Sequence, residues 1–90
     1  MTTAFVRHRV ADYDTWRRAY DDAGELQRQG GVTDEAVYRV EGDPGSVLVM
    51  HKFASSDEAH AFFENPELRQ ALLAAGVDAG SLRLEFYEQA

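Results

Sequence analysis

Two histidines, His8 and His51, sit at alternating positions within apolar, strand-like runs: Val6-Arg7-His8-Arg9-Val10, and Val47-Leu48-Val49-Met50-His51-Lys52-Phe53. Imidazole can accept or release a proton near neutral pH, so histidine is the natural residue for acid–base work. Among valines and phenylalanines it also needs a hydrogen-bond partner, because buried polar groups are nearly always paired. Strand alternation predicts Tyr38 on the same apolar face. Two imidazoles and a phenol there imply a mutual network, ordered water or a bound small molecule. His51 and His8 are therefore the candidate catalytic residues, and Tyr38 is the candidate partner of a ligand oxygen. Each histidine taken alone also has a plain structural reading as a satisfied core residue.

Other chemistries find less support. There is no cysteine, which removes thiolate chemistry, disulfides and the best structural zinc ligands. Two histidines without a third imidazole or carboxylate on the same face leave a metal shell incomplete, so no metal is assigned. His60 is predicted to face solvent beside Glu64. The chain lacks a Ser-His-Asp set, a phosphate-binding loop and a dinucleotide fingerprint. Its carboxylates fall on predicted surfaces, not in pairs.

The walls of a pocket would come from helices. Asp12–Gln29 has helical periodicity, with Asp12 as its cap and Tyr13, Trp16, Ala19, Tyr20, Ala23 and Leu26 on one stripe; Gly30-Gly31 ends it. Ser55–Ala75 is helical in two pieces. Ser55-Ser56-Asp57-Glu58 is a capping box, Asn65-Pro66 divides the pieces, and Gly76 stops the second. Trp16, Tyr20 and Phe62 are the candidate ligand-binding walls, with Phe63 beside them. An aromatic stripe at helical spacing is more often the mark of an ordinary core.

Four alternating segments complete the order: Thr3–Val10, Val32–Val40, Ser46–Phe53 and Ser81–Tyr87. Glu41-Gly42-Asp43-Pro44-Gly45 is turn chemistry and joins the second and third strands as a hairpin. With right-handed crossovers, these elements predict an α+β, ferredoxin-like βαββαβ sandwich with its helices on one face. Residues 1–90 are expected to form a single domain. The first and third strands are expected side by side at the centre, running parallel, which would set His8 and His51 about 5 Å apart.

Alternation assigns Val6, His8, Val10, Tyr38, Val40, Val47, Val49, His51, Phe53, Leu82, Leu84 and Phe86 to the helix-covered face. The opposite face is mixed. Phe5, Leu48, Met50 and Tyr87 there need cover, while Arg7 or Arg9 is placed to pair with Glu85. A second copy of the chain is the common solution, so a homodimer is expected.

The net charge of −7, with Lys52 the sole lysine and the arginines scattered among carboxylates, argues against a nucleic-acid partner. No run is apolar and long enough for a signal peptide or a membrane span, so the expectation is a soluble, cytoplasmic protein.

Particular stretches also resemble a known group. His8 followed by Val10-Ala11-Asp12-Tyr13-Asp14-Thr15-Trp16 resembles the opening of the small dimeric α/β-barrel proteins of ferredoxin-like type. Phe53 with Glu58-Ala59-His60-Ala61-Phe62, then Asn65-Pro66-Glu67-Leu68-Arg69 and Ala75-Gly76-Val77, resembles their second half. The likeness spans nearly the whole chain and is similar to the antibiotic biosynthesis monooxygenases and aromatic polyketide cyclases. It implies a homodimer with facing sheets, and a cavity in each subunit between sheet and helices. It further implies aromatic, polyketide-like ligands and, in some relatives, oxygen chemistry without metal or flavin. His8 and Trp16 match the opening motif, and His51 lies on the strand bordering the cavity. The residue set of the haem-degrading branch is not found, so no cofactor is carried over. Asp78-Ala79-Gly80 lacks the glycine–proline pattern of many relatives at the cavity rim.

The reading is a small-molecule pocket protein, as a cofactor-independent cyclase or monooxygenase. The alternatives are a non-catalytic metabolite-binding module and a dimeric scaffold whose cavity is filled by its own side chains.

Overall fold

The structure, a computed structural model, describes residues 1–90. Its elements run β1 (Thr2–Val10), α1 (Tyr13–Asp22), α2 (Gly24–Gln29), β2 (Val32–Val40), β3 (Asp43–Phe53), α3 (Ser56–Glu64), α4 (Pro66–Ala74) and β4 (Val77–Glu88). The strands form one sheet in the order β2-β3-β1-β4, and every neighbouring pair is antiparallel. This is the ferredoxin-like α+β arrangement, with the four helices over one face. No helix is long and apolar enough to cross a membrane.

Caps set the helix starts. Asp12 accepts from the Thr15 N–H at 3.0 Å, Ser55 from the Glu58 N–H at 3.2 Å, and Asn65 from the Glu67 N–H at 3.0 Å. Gly76 follows α4 with φ +83°, a conformation that glycine takes without steric cost. The stretch predicted as one helix from Asp12 to Gln29 is two, broken at Ala23 just ahead of Gly24, a weak helix former.

The central pairing differs from the expectation of parallel strands. A crossover through α1 and α2 returns β2 parallel to β1 but one strand-width away. The tight turn at Glu41-Gly42 then sends β3 back through the gap, so β3 must run against β1. In that register His8 faces Val47 and His51 faces Ala4. The two histidines are thus four residues apart along the strands, about 13 Å, instead of adjacent.

The β2 alternation is also reversed. Tyr38 pairs with Leu48, lies on the open face and is 54 % exposed; Glu35, Val37 and Arg39 take the helix side. As an edge strand, β2 can present polar side chains past the flank of α1. There the Arg39 guanidinium lies 4.0 Å from the centre of the Tyr13 ring, and Glu35 bonds to Tyr20. Apolarity alone therefore misassigned its faces.

Strand β4 begins earlier than predicted, and its register with β1 jumps between Arg7–Arg83 and Arg9–Asp78. The Arg9 N–H donates to Ser81 Oγ at 2.8 Å, and that hydroxyl donates to the Asp78 carbonyl at 2.6 Å. Asp78-Ala79-Gly80 is thereby a bulge closed by Ser81 instead of a free loop.

Two buried clusters make the core. One gathers Trp16 with Val6, Val10, Val47, Val49, Ala75 and Val77. The other gathers Phe53 and Phe62 with Ala4, Ala59 and Leu68. The candidate site lies along their seam.

Candidate functional site

Between the sheet and the helices lies a cavity of about 70 Å³ whose walls take residues from both clusters. Strand β1 contributes Val6 and His8, β3 contributes Val49 and His51, α1 contributes Trp16, Ala19 and Tyr20, and α3 contributes Phe62 and Phe63. Gln27, from α2, is the other polar residue of the wall. Of the residues singled out in the sequence, His8, His51, Trp16, Tyr20 and Phe62 meet at this cavity. Tyr38 does not, because its side chain leaves from the opposite face.

An aromatic row connects the two histidines. The His8 ring lies 5.6 Å from Trp16, Trp16 stacks on Tyr20 at 5.0 Å, and Tyr20 stacks on His51 at 6.1 Å. Phe62 meets His51 edge-on at 5.7 Å, and Phe63 lies over it at 6.2 Å. These contacts, on top of burial, hold the imidazoles and Trp16 in fixed orientations. His8 and His51 are only 2 % and 4 % exposed.

Burial controls their protonation. Loss of hydration lowers the pKa of His8 to about 4. It does the same to His51, where the nearby Glu35 carboxylate opposes the shift. Both rings are therefore neutral at pH 7. Neither nitrogen of His8 has a hydrogen-bond partner, nor does Nδ1 of His51. Three orphaned nitrogens in a largely apolar wall are unusual in a folded protein.

The remaining nitrogen, His51 Nε2, is 3.1 Å from Tyr20 Oη. Tyr20 Oη in turn donates to Glu35 Oε2 at 2.6 Å. Burial, followed by this bond to a carboxylate, pushes the Tyr20 pKa upward, so the phenol stays protonated. Glu35 stands directly opposite His51 in the β2–β3 register and reaches solvent. Sequence reasoning missed Glu35. Placing Val37 inward would have found it, since Glu35 shares Val37's face.

No group of three or more His, Asp or Glu side chains is placed to hold a metal ion. His60 is exposed, as expected, with its ring stacked on Phe86 at 3.9 Å, away from the cavity.

The sequence matches no family model and no curated protein. Solved structures do share the fold. A candidate antibiotic biosynthesis monooxygenase from Deinococcus radiodurans superposes with a TM-score of 0.76 at 19 % identity, over 100 % of this chain and 93 % of that one. SnoaB, a cofactor-independent oxygenase from Streptomyces nogalater, gives 0.81 at 10 % identity, over 99 % and 92 %. A candidate antibiotic biosynthesis monooxygenase from Bordetella bronchiseptica gives 0.80 at 10 % identity, over 99 % and 96 %. The chain has the fold of these antibiotic biosynthesis monooxygenase-like proteins from end to end.

Proposed function

We propose that this chain binds a small aromatic or enolisable molecule in the cavity and removes a proton from it, with His51 as the base. The observation that carries this reading is the set of unpartnered imidazole nitrogens in an apolar wall. The three nitrogens are closed off by their neighbours, so a ligand oxygen would satisfy them once the wall side chains part. Apolar cavities with a few convergent polar groups are the usual small-molecule sites. Proton removal from a phenol or ketone gives an electron-rich anion, the species that both cyclisation and cofactor-free reaction with oxygen require. The fold shared with SnoaB, an oxygenase described as cofactor-independent, supports that direction. Fold alone leaves the reaction open, because one fold hosts many activities.

Size narrows the ligand. A cavity of about 70 Å³ offers the space of two or so waters, at about 30 Å³ each in the liquid, against roughly 300–1,000 Å³ for drug-sized sites. Even a one- or two-ring ligand requires the wall side chains to move, and a larger polycycle requires a larger rearrangement. The same small volume favours a second reading, the dimeric scaffold whose cavity is filled by its own side chains.

The open face supports a homodimer. Phe5, Leu48 and Tyr87 border a shallow depression that also carries Arg7, Arg83 and Glu85. Apolar groups with both charge signs make a face that can complement a two-fold copy of itself.

The test uses Trp16, the sole tryptophan and part of the cavity wall. Titration with 1-naphthol or 2-tetralone, followed by its emission, should give saturable quenching with conversion of the compound. His51→Ala should abolish conversion and keep the quenching. Quenching with neither conversion nor solvent-hydrogen exchange of the compound in the parent protein would make it a binding module, and a flat response would favour the scaffold.

A further inference from the structure

We propose that Glu35 is the outlet of a proton relay in which Tyr20 links the carboxylate to His51, fixing His51 with its hydrogen on Nε2 and its lone pair on Nδ1. The proposal rests on the reading of His51 as the base.

Hydrogen-bond accounting carries it. Tyr20 has one O–H to give, and an ionised carboxylate can only accept. The 2.6 Å separation from Glu35 Oε2 is that of a charge-assisted bond, so the phenolic hydrogen belongs to that contact. His51 Nε2, 3.1 Å from the same phenolic oxygen, must then be the donor. An imidazole with hydrogen on Nε2 has a bare Nδ1, and Nδ1 is the nitrogen left without a partner.

The site gives a reason for a relay. His51 is enclosed by Phe53, Phe62 and Phe63, and an imidazolium there would lose its hydration with no carboxylate in direct contact. From α1 the facing polar group is Tyr20, with the Arg17–Asp21 ion pair beside it; from β2 it is Glu35; β1 offers Ala4; α3 offers only the two phenylalanines. A base in this setting is better served by passing a proton on than by storing it.

The transfer balances in one concerted set. The ligand C–H or O–H bond breaks, leaving its electron pair as an enolate or phenolate, and a new N–H bond forms at Nδ1. The Nε2 hydrogen moves to Tyr20 Oη as the Tyr20 hydrogen moves to Glu35. The outcome is a ligand anion, a neutral imidazole of the other tautomer and a neutral Glu35 carboxyl at the surface. Glu35 exchanges its proton with water, and the reverse sequence returns a solvent proton to the ligand carbon. His51 would be the catalytic residue, and Glu35 a positioning and proton-accepting residue acting through Tyr20.

Two measurements on the intact protein test it. Nitrogen-15 NMR of the histidines should show His51 with hydrogen on Nε2, and Tyr20→Phe should mix its tautomers. A parent protein with hydrogen on Nδ1 would overturn the proposal. The second follows deuterium entry at C1 of 2-tetralone, without oxygen, in D₂O. Glu35→Gln keeps an acceptor for Tyr20 but cannot take up the proton at ordinary pH, and its exposed edge position favours normal folding. It should retain the Nε2 tautomer and Trp16 quenching while exchange slows on the order of 10²-fold. Exchange as fast as in the parent protein would overturn the relay alone. If the parent protein itself fails to exchange 2-tetralone above the solvent rate, the reading of His51 as base falls, and the relay with it.

Discussion

Arg7 and Arg83 stand directly opposite one another on β1 and β4, and neither forms an ion pair within the chain. Like charges in that position are destabilising, by about 0.2–1 kcal/mol on the scale of cross-strand pairs. Arg9, which the sequence offered as a partner for Glu85, is instead held by Asp43 at 2.7 Å. Glu85 is therefore without a guanidinium in an ion pair of its own chain, and a facing copy could match it to Arg7 or Arg83. The expected outcome is a dimer by analytical ultracentrifugation at micromolar concentration. Leu48→Glu, at the depression and outside the cavity, would strand a charge in the interface and should yield monomers that still bind cavity ligands. A monomeric parent protein would end the dimer reading.

How much of this could be read from sequence depended on what set each element. Caps and turns are local, so Asp12, Ser55, Asn65 and Gly76 announce their elements directly. His8, His51, Trp16, Tyr20 and Phe62 meet because strand parity and helix stripe both survive folding. Strand direction and the faces of β2 are not local properties. They follow from the crossover and the hairpin, and on an edge strand Tyr38 can point outward while Glu35 and Arg39 point in. Glu35 was hidden for that reason: an acidic residue in an edge strand reads as surface until its neighbour on β3 is known.

Gly30 closes the cavity wall from behind. A Cβ there would collide with Phe62 Cδ1, although its φ of −78° suits any residue. Gly30→Ala must therefore push the buried Phe62 ring rather than strain the backbone. The expected cost is about 1–3 kcal/mol in urea denaturation, with altered quenching of Trp16 by 1-naphthol. Unchanged stability and binding together would show that Phe62 moves freely.

The buried histidines make stability depend on pH in a definite direction. Their folded pKa values, about 4, lie below the ordinary 6.5 that an unfolded chain would show. The unfolded state therefore binds protons first as pH falls, and the contribution present above pH 6.5 is lost progressively between pH 6.5 and 4. At 1.36 kcal/mol per pKa unit, the ceiling is about 3 kcal/mol for each ring. Denaturation midpoints should change little between pH 7.5 and 6.5 and then fall through pH 5.5 and 4.5. A flat profile above pH 5 would mean that the rings are more hydrated than their burial indicates.

His8 offers the sharpest separation of stability from function. Both of its nitrogens are buried without partners, so the folded chain carries an unsatisfied polar group against the Trp16 ring. Leucine has a similar bulk and no polar atoms. His8→Leu should therefore raise stability at pH 7 by about 1–3 kcal/mol, the usual cost of an unsatisfied buried group. The gain should grow toward pH 5, because the variant has one fewer ring to protonate on unfolding. If the nitrogens serve a ligand, the same variant should bind 1-naphthol more weakly by Trp16 quenching. Greater stability with weaker binding would mark His8 as a residue kept for recognition at the expense of folding. Greater stability with unchanged binding would return it to the core, and lower stability would show that ordered water already satisfies the ring.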